Sequence, residues 1–270
     1  GTTYTQGGTY STYVGSNNNY SMSFDGIDEA ISGIASSSLD VTGTNLLTMS
    51  CWVNPSSFGS YVFAHAGNNV LNQQYAININ QNGKIYFLAD HASAGLFEQN
   101  GGNVGQTALS LNQWNHISMT YDGSAVRLYL NGILDFENFV IDNFSSNYIG
   151  NVYIGQRADG SNRFNGKIDD IHIWNYALSQ QEIQQYMSCH PTGNESGLVG
   201  YWNFEEGPGS TVVLDQTANG NDGTINGATY DSNVPPQSCV GGLTNTNGCD
   251  STAILNLTIN HADTSYTNIT

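Results

Sequence analysis

Hydrophobic and polar residues alternate along much of the chain. The clearest run begins at Trp114, where Ile117, Met119 and Tyr121 alternate with polar neighbours and Val126, Leu128 and Leu130 do so again. A period of two marks half-buried strands. Asp122-Gly123 ends the first run and Asn131-Gly132 the second, and both dipeptides favour the left-handed turns of β-hairpins. An antiparallel meander is predicted here. The same pattern predicts an opening strand pair over residues 24–34, around Asp25-Gly26. It predicts a core strand over 46–53, halted at Asn54-Pro55 because proline cannot continue a ladder. Strands follow over 61–65, 75–80 and 84–89, with Asn82-Gly83 as a hairpin turn. A last strong strand, 167–174, precedes the one helical pattern, 179–187. There Ser179 and Glu182 form a capping box, and Leu178 with Ile183 can form a hydrophobic staple. Eleven Asn-Gly or Asp-Gly dipeptides spread this hairpin rhythm over the chain. The expected fold class is all-β, an antiparallel two-sheet sandwich with one short helix.

The motifs W-N-H-I-S-M-T-Y-D-G at 114–123, L-Y-L-N-G at 128–132 and G-K-I-D-D-I-H-I-W-N-Y-A-L-S at 166–179 sharpen that expectation. With S-F-D-G at 23–26 and M-S-C-W-V-N-P at 49–55, they resemble the laminin-G-like branch of the concanavalin-A-like jelly rolls. The resemblance implies a jelly-roll sandwich used for glycan or protein binding and often carrying calcium. The segment 197–230, GLVGYWNFEEGPGSTVVLDQTANGNDGTINGATY, usually precedes the S-F-D-G strand in such domains, whereas here it follows the helix. It is expected to complete the same sandwich as edge strands, because unpaired apolar strands would aggregate.

The flanks, 1–17 and 240–270, are Thr-rich and alternating, with Ala253, Leu255, Leu257 and Ile259 on one face. GTTYTQGGTY and TNTNGCDSTAILNLTI resemble two parts of one repeat found in very long secreted adhesins of gliding, surface-colonising bacteria. That implies a small β-sandwich repeat into which a jelly roll, 18–239, is inserted. The resemblance also implies an extracellular or cell-surface location. The partners it implies are glycans, a host or neighbouring cell surface, and adjoining repeats of the same fibre.

Charge narrows the function classes. The net charge is -17, and Lys84, Arg127, Arg157, Arg163 and Lys167 are the five basic residues. Nucleic-acid binding is excluded on that balance, while divalent cations are favoured. No apolar run approaches the roughly 20 residues of a spanning helix, so membrane insertion is not expected.

Candidate chemistry follows. On a regular strand Asp169 and Asp170 point to opposite faces, and Asp169 shares the core face with Ile171 and Ile173. A carboxylate there needs a compensating charge or several hydrogen bonds. A structural calcium ion is expected at Asp169 together with the loop oxygens of Asp215, Asn219, Asn221 and Asp222, the alternative being an Asx-rich turn bonded to its own backbone. Tyr61, Tyr86 and Phe97 are the candidates for a ligand surface, the last in the Gly/Asn-rich stretch 91–106. Among the four cysteines, Cys51 reads as a buried free thiol, and Cys189 with Cys239 as a plausible disulfide.

No enzyme signature is present. The E-x-D-x-x-E strand of glucanases on this fold is missing, and Glu98, Glu137, Glu182 and Glu195 are isolated. Glu205-Glu206 would diverge on a strand, and G-x-S-x-G is absent. A non-enzymatic binding or structural module of an adhesive fibre is therefore expected. The alternative is a lectin-like carbohydrate-binding module of a secreted glycan-processing protein.

Overall fold

The computed structural model describes residues 18–35, 37–66, 73–89, 102–139, 143–144, 150–237 and 239. The chain divides into two compact units, Gly15–Ser238 on one hand and Gly1–Val14 with Cys239–Thr270 on the other. The flanking repeat expected over 1–17 and 240–270 lies outside the described residues.

In chain order the strands are β1 (Ser21–Asp25), β2 (Ala30–Ala35), β3 (Leu47–Pro55), β4 (Ser60–Ala66), β5 (Gln73–Ile79), β6 (Lys84–Ala89), β7 (Asn103–Ala108) and β8 (Asn115–Tyr121). Then come β9 (Ala125–Leu130), β10 (Ile133–Phe139), β11 (Asn151–Ile154), β12 (Asn165–Trp174), β13 (Leu198–Trp202), β14 (Val212–Val213), β15 (Gly223–Asn226) and β16 (Thr229–Asp231). Helix α1 (Gln180–Ser188) lies between β12 and β13. The strands form two antiparallel sheets. The first runs β10-β9-β8-β3-β12-β1-β16, with β13 also paired to β12; the second runs β14-β15-β2-β11-β4-β5-β6-β7. The fold is a jelly-roll sandwich.

One face of each sheet builds the core. Met22, Phe24, Met49, Cys51, Ile117, Met119 and Tyr121 come from the first sheet, Ile31, Phe63, Tyr75, Ile77, Phe87 and Ile154 from the second, and all are buried in one cluster. The predicted meander is β8-β9-β10, in register from Ile117 opposite Leu130 to Tyr121 opposite Val126. Cys51 is a buried free thiol. The segment 197–230 contributes to both sheets: β15 pairs with β2 and β16 with β1.

One expectation changes. β1 and β2 are not a hairpin, because β1 lies in the first sheet and β2 in the second. The turn is held as a hairpin turn would be, with Ile27 N–H donating to Asp25 Oδ1 (2.7 Å) and Asp25 N–H to Glu29 Oε2 (2.6 Å). The chain nevertheless arches across the core. A Gly turn serves a hairpin and an arch equally, and local sequence does not separate them.

Helix α1 has the predicted start. Ser179 is extended and its side chain accepts from Glu182 N–H, while Ser179 N–H donates to Glu182 Oε2 (2.7 Å). Leu178 and Ile183 are buried in a cluster with Trp174, Tyr201, Tyr129 and Leu198. Ser179→Ala should cost about 1 kcal/mol, read as a lower urea midpoint at unchanged slope.

Candidate functional site

A seam in the first sheet creates the site. On one side β12 pairs with β3; on the other it pairs with β1 up to Ile168 and with β13 from Ile171 onward. Asp169 and Asp170 stand in the gap between the two partners. There the β12 ladder with β3 shifts register between Asp169 and His172, and Asp170 has φ 52°. This is a β-bulge, which inserts one extra residue and re-aims the side chains around it.

The bulge corrects the sequence reading of the two aspartates. With the extra residue at 170, the core face of β12 carries Ile168, Ile171 and Ile173. Asp169 therefore leaves the core face. Asp169 and Asp170 do not point to opposite sides of the sheet but line the same small cavity, together with Asn18, His190, Tyr201, Asn203 and Glu205. The segment entering β1 delivers Asn18, and the segment leaving β13 delivers Asn203 and Glu205. Phe204, between them, has φ 54°, an unusual backbone for a bulky residue and one that clusters at functional sites.

The hydrogen bonds are dense. Asp170 N–H donates to Asp169 Oδ1 (2.8 Å), Asn18 Nδ2 donates to Asp169 Oδ2 (2.9 Å), and Gln237 Nε2 donates to Asp170 Oδ2 (2.6 Å). Glu205 Oε1 accepts from Asn19 N–H (2.8 Å) and Tyr20 N–H (2.9 Å), and its Oε2 accepts from Asn19 Nδ2 (2.8 Å). Among the described residues Asn18 Oδ1 is buried and has no hydrogen-bond partner.

The electrostatics are one-sided. Asp169 and Asp170 are 0% and 2% exposed. Burial, then the charge of Asp170, holds the Asp169 carboxyl well above the ordinary carboxylate range, and the Glu205 charge adds to this. Burial likewise raises Asp170, against the opposing influence of His190, Gln237 and Tyr201. None of the five Lys and Arg residues lines the cavity. Its volume is about 10 Å³, near the least that holds one water-sized sphere.

The loop oxygens expected to complete a calcium shell do not line this cavity. Asp215 is a turn organiser. Its Oδ1 accepts from the N–H groups of Tyr201 and Thr217, and its Oδ2 from Asn221 N–H, Asn221 Nδ2 and Thr217 Oγ1. Asp222 Oδ1 accepts from Asp215 N–H, and the Asn219 and Asn221 amides both donate to Val199 carbonyl oxygen. The Asx-rich turn is what these residues build. Among the described residues no three His, Cys, Asp or Glu side chains are grouped as metal ligands, so a cation here would lean on carboxamide oxygen as well.

The sequence profile of the concanavalin A-like lectin/glucanases superfamily matches residues 28–184, which span the strands from β2 to β12 and most of α1. The chain belongs to this superfamily. A candidate carbohydrate-binding protein from Bacteroides ovatus ATCC 8483 has the same fold, with TM-score 0.63 and 20% identity over 82% of this chain and 61% of that one. The heptameric SAP-like pentraxin of Limulus polyphemus superposes with TM-score 0.52 and 14% identity over 80% of this chain and 95% of that one. The chain thus spans less than two thirds of the Bacteroides protein. No curated protein matches it.

In this superfamily member the proposed ligand residues are split. Tyr61 and Tyr86 both flank Asn78, as cross-strand neighbours on β4, β5 and β6. Tyr61 is buried in a satellite cluster with Ala64 and Ala76, packed by Leu88, whereas Tyr86 is half-buried. Phe97 lies outside the described residues. Cys189, at the C-cap of α1, is disulfide-bonded, and so is Cys239. The sequence reading missed Asn18, Asn203, Glu205 and Gln237. Glu205 and Glu206 do diverge: Glu206 serves Leu214 N–H (3.0 Å) and Tyr230 O–H (3.2 Å).

A buried Ser–His contact also lies in the first sheet. Ser50 Oγ and His116 Nε2 are 2.9 Å apart, and His116 Nδ1 has no hydrogen-bond partner among the described residues. Both residues are buried, and the Trp52 ring meets His116 edge-on at 5.1 Å. A nucleophile needs access and an oriented base, and this pair has neither.

Burial lowers three histidines below their ordinary value: His65 to about 4, His116 to about 3, and His172 well below it, aided by the charges of His116 and His190. The unfolded chain takes up protons near pH 6.5 that these sites refuse until lower pH. Their contribution is therefore full above about pH 6.5 and is lost as pH falls, toward about 4 for His65 and about 3 for His116. The melting temperature should drop across that window, and replacing His116 by Gln should flatten the drop.

Proposed function

We propose that this domain is a non-enzymatic, extracellular glycan-binding module of a bacterial surface adhesin or fibre, stabilised by calcium at the β12 seam. The observation that carries the calcium reading is the buried Asp169–Asp170 pair, which has no Lys or Arg beside it in a cavity of single-ion size. Burying two like charges side by side costs several kcal/mol in general, and a divalent cation would offset that cost. Asp169, Asp170 and the unpartnered Asn18 Oδ1 would hold it, an all-oxygen set suited to a hard ion. The ion would supply positive charge where β1, β12 and β13 meet. It would thereby tie the segment entering β1 to the segment leaving β13.

Superfamily membership and the candidate carbohydrate-binding neighbour support the glycan reading. The resemblance of 1–17 and 240–270 to adhesin repeats supports the fibre. Against an enzyme, glycoside hydrolysis needs an acid and a second carboxylate flanking an open sugar site. The buried carboxylates face a cavity of about 10 Å³, too small for a sugar ring. Among the described residues no helix is long and apolar enough to cross a membrane.

A glycan array probed in calcium tests the reading. Reproducible binding that weakens in chelator is the expected result. A blank array with end-to-end assembly of the chain would leave the purely structural fibre. Glycan hydrolysis would overturn the non-enzymatic assignment.

A further inference from the structure

A second, larger cavity lies on the outer face of the first sheet, near the end of β12 that begins at Asn165. It has a volume of about 200 Å³ and is walled chiefly by Ser23, Asn54, Ser56, Asn112, Asn165 and Asn233, with Lys167 in its floor. Ser23, Lys167 and Asn54 are opposite one another across β1, β12 and β3, so one row of side chains forms the floor.

The walls are fixed before any ligand arrives. Ser56 N–H donates to Asn165 carbonyl oxygen (2.8 Å) and Asn112 N–H to Pro55 carbonyl oxygen (2.8 Å). Asn233 is held at three points: Trp114 Nε1 donates to its Oδ1 (3.0 Å), Ser21 Oγ to its carbonyl oxygen (2.9 Å), and its own N–H to Asp231 Oδ1 (2.7 Å). Trp114 precedes β8 and Asn233 follows β16, so their bond bridges the intervening β3, β12 and β1. Rigid walls reduce the ordering that binding would require.

The chemistry of the lining selects a ligand class. A carboxamide offers donors and an acceptor side by side, and a serine hydroxyl offers both. Neighbouring sugar hydroxyls present the same mixture. The one charge, Lys167, is 3.4 Å from Asp231 and so is balanced. An anion would also approach against a net charge of -17. An extended peptide has no edge to join, because β3, β12 and β1 are all interior strands.

We propose that this cleft is a subsite for one neutral sugar ring. The proposal rests on the glycan-binding reading and gives it a place. Lys167 and Asp169 are two residues apart on β12, about 7 Å along the strand. The 233–237 segment reaches both places, since Asn233 lines the cleft and Gln237 bonds Asp170. Cation site and sugar cleft would share one strap.

Two exposed wall residues allow a clean test. Asn112 has φ 55°, a conformation glycine adopts without strain, so Asn112→Gly removes a carboxamide and leaves the backbone at ease. Ser56→Trp fills the cleft from an exposed position. The intact chain and both variants would be put on an array of neutral oligosaccharides with sialylated and uronic-acid counterparts, in calcium. Neutral sugars should bind the wild type, and both variants should lose at least tenfold with unchanged melting. Wild-type binding retained within twofold by both variants would overturn the cleft and leave the glycan reading standing. Preference for the acidic sugars would overturn the neutral class. A wild type that binds no sugar would overturn both.

Discussion

Asp169→Asn is expected to change the melting temperature in opposite directions with and without calcium. In chelator the wild-type carboxyl is buried beside Asp170 and Glu205 with no Lys or Arg lining the cavity, and its proton affinity is raised. Asparagine has nearly the same shape and no charge. The unpartnered Asn18 Oδ1 can turn to accept from its new amide. The variant should therefore melt higher than the wild type in chelator, by a few degrees. With calcium at a hundred times its dissociation constant, the wild type gains about 2.7 kcal/mol by mass action. That is roughly 5–10 °C for a domain of this size, and the variant should gain none of it. If protonation alone neutralises the pair, the variant melts higher in both conditions. The pH profile adds a sign. A raised folded pKa gives stability that is present below the ordinary carboxylate value and lost as pH rises through the folded one. In chelator this opposes the acid loss from the histidines; with calcium, proton competition for the carboxylates adds to it. The acid limb should be steeper with calcium than without.

Gly166→Ala should be among the most damaging single methyls in the domain. Gly166 has φ 139°, and a Cβ there would stand 2.3 Å from Asn54 carbonyl oxygen and 2.9 Å from Pro55 Cα. Both are backbone atoms of β3, which pairs with β12 at this point. Neither can swing aside as a side-chain tip would. The strained dihedral alone costs of order 1–3 kcal/mol, and moving two central strands apart adds to it. A loss above about 3 kcal/mol is expected in urea denaturation, or failure to fold. Glycines with nothing near their Cβ position, such as Gly220, provide the contrast. A Gly166→Ala protein as stable as the wild type would mean that β12 and β3 do not close as described.

Much of the fold was legible because strand alternation, turn dipeptides and helix capping are written locally. The alternation at 117–130 gave β8 and β9, and the Ser179–Glu182 pair gave the start of α1. Where two strands meet is not local. Nothing around Asp25-Gly26 distinguishes a hairpin from an arch, and only the distribution of pairing over the whole chain decides it. The aspartates show the same limit more sharply. Asp169 was legible as a carboxylate in need of compensation, but a strict period of two placed it on the wrong face. One residue in the left-handed region, Asp170, shifts every later side chain by one. The remaining groups come from Asn18 and from 190–237, far from Asp169 in sequence. The Asp215–Asp222 loop misled because the oxygens that suit a calcium shell are also those that close Asx turns, and here the backbone takes them.

Titrating calcium into metal-stripped protein by calorimetry tests the seam most directly, with Asp169→Asn as the control. The account predicts saturable binding of one ion per chain in the wild type, competition by acid, and no heat of binding in the variant. Absence of saturable binding in the wild type, or equal binding in the variant, would contradict it.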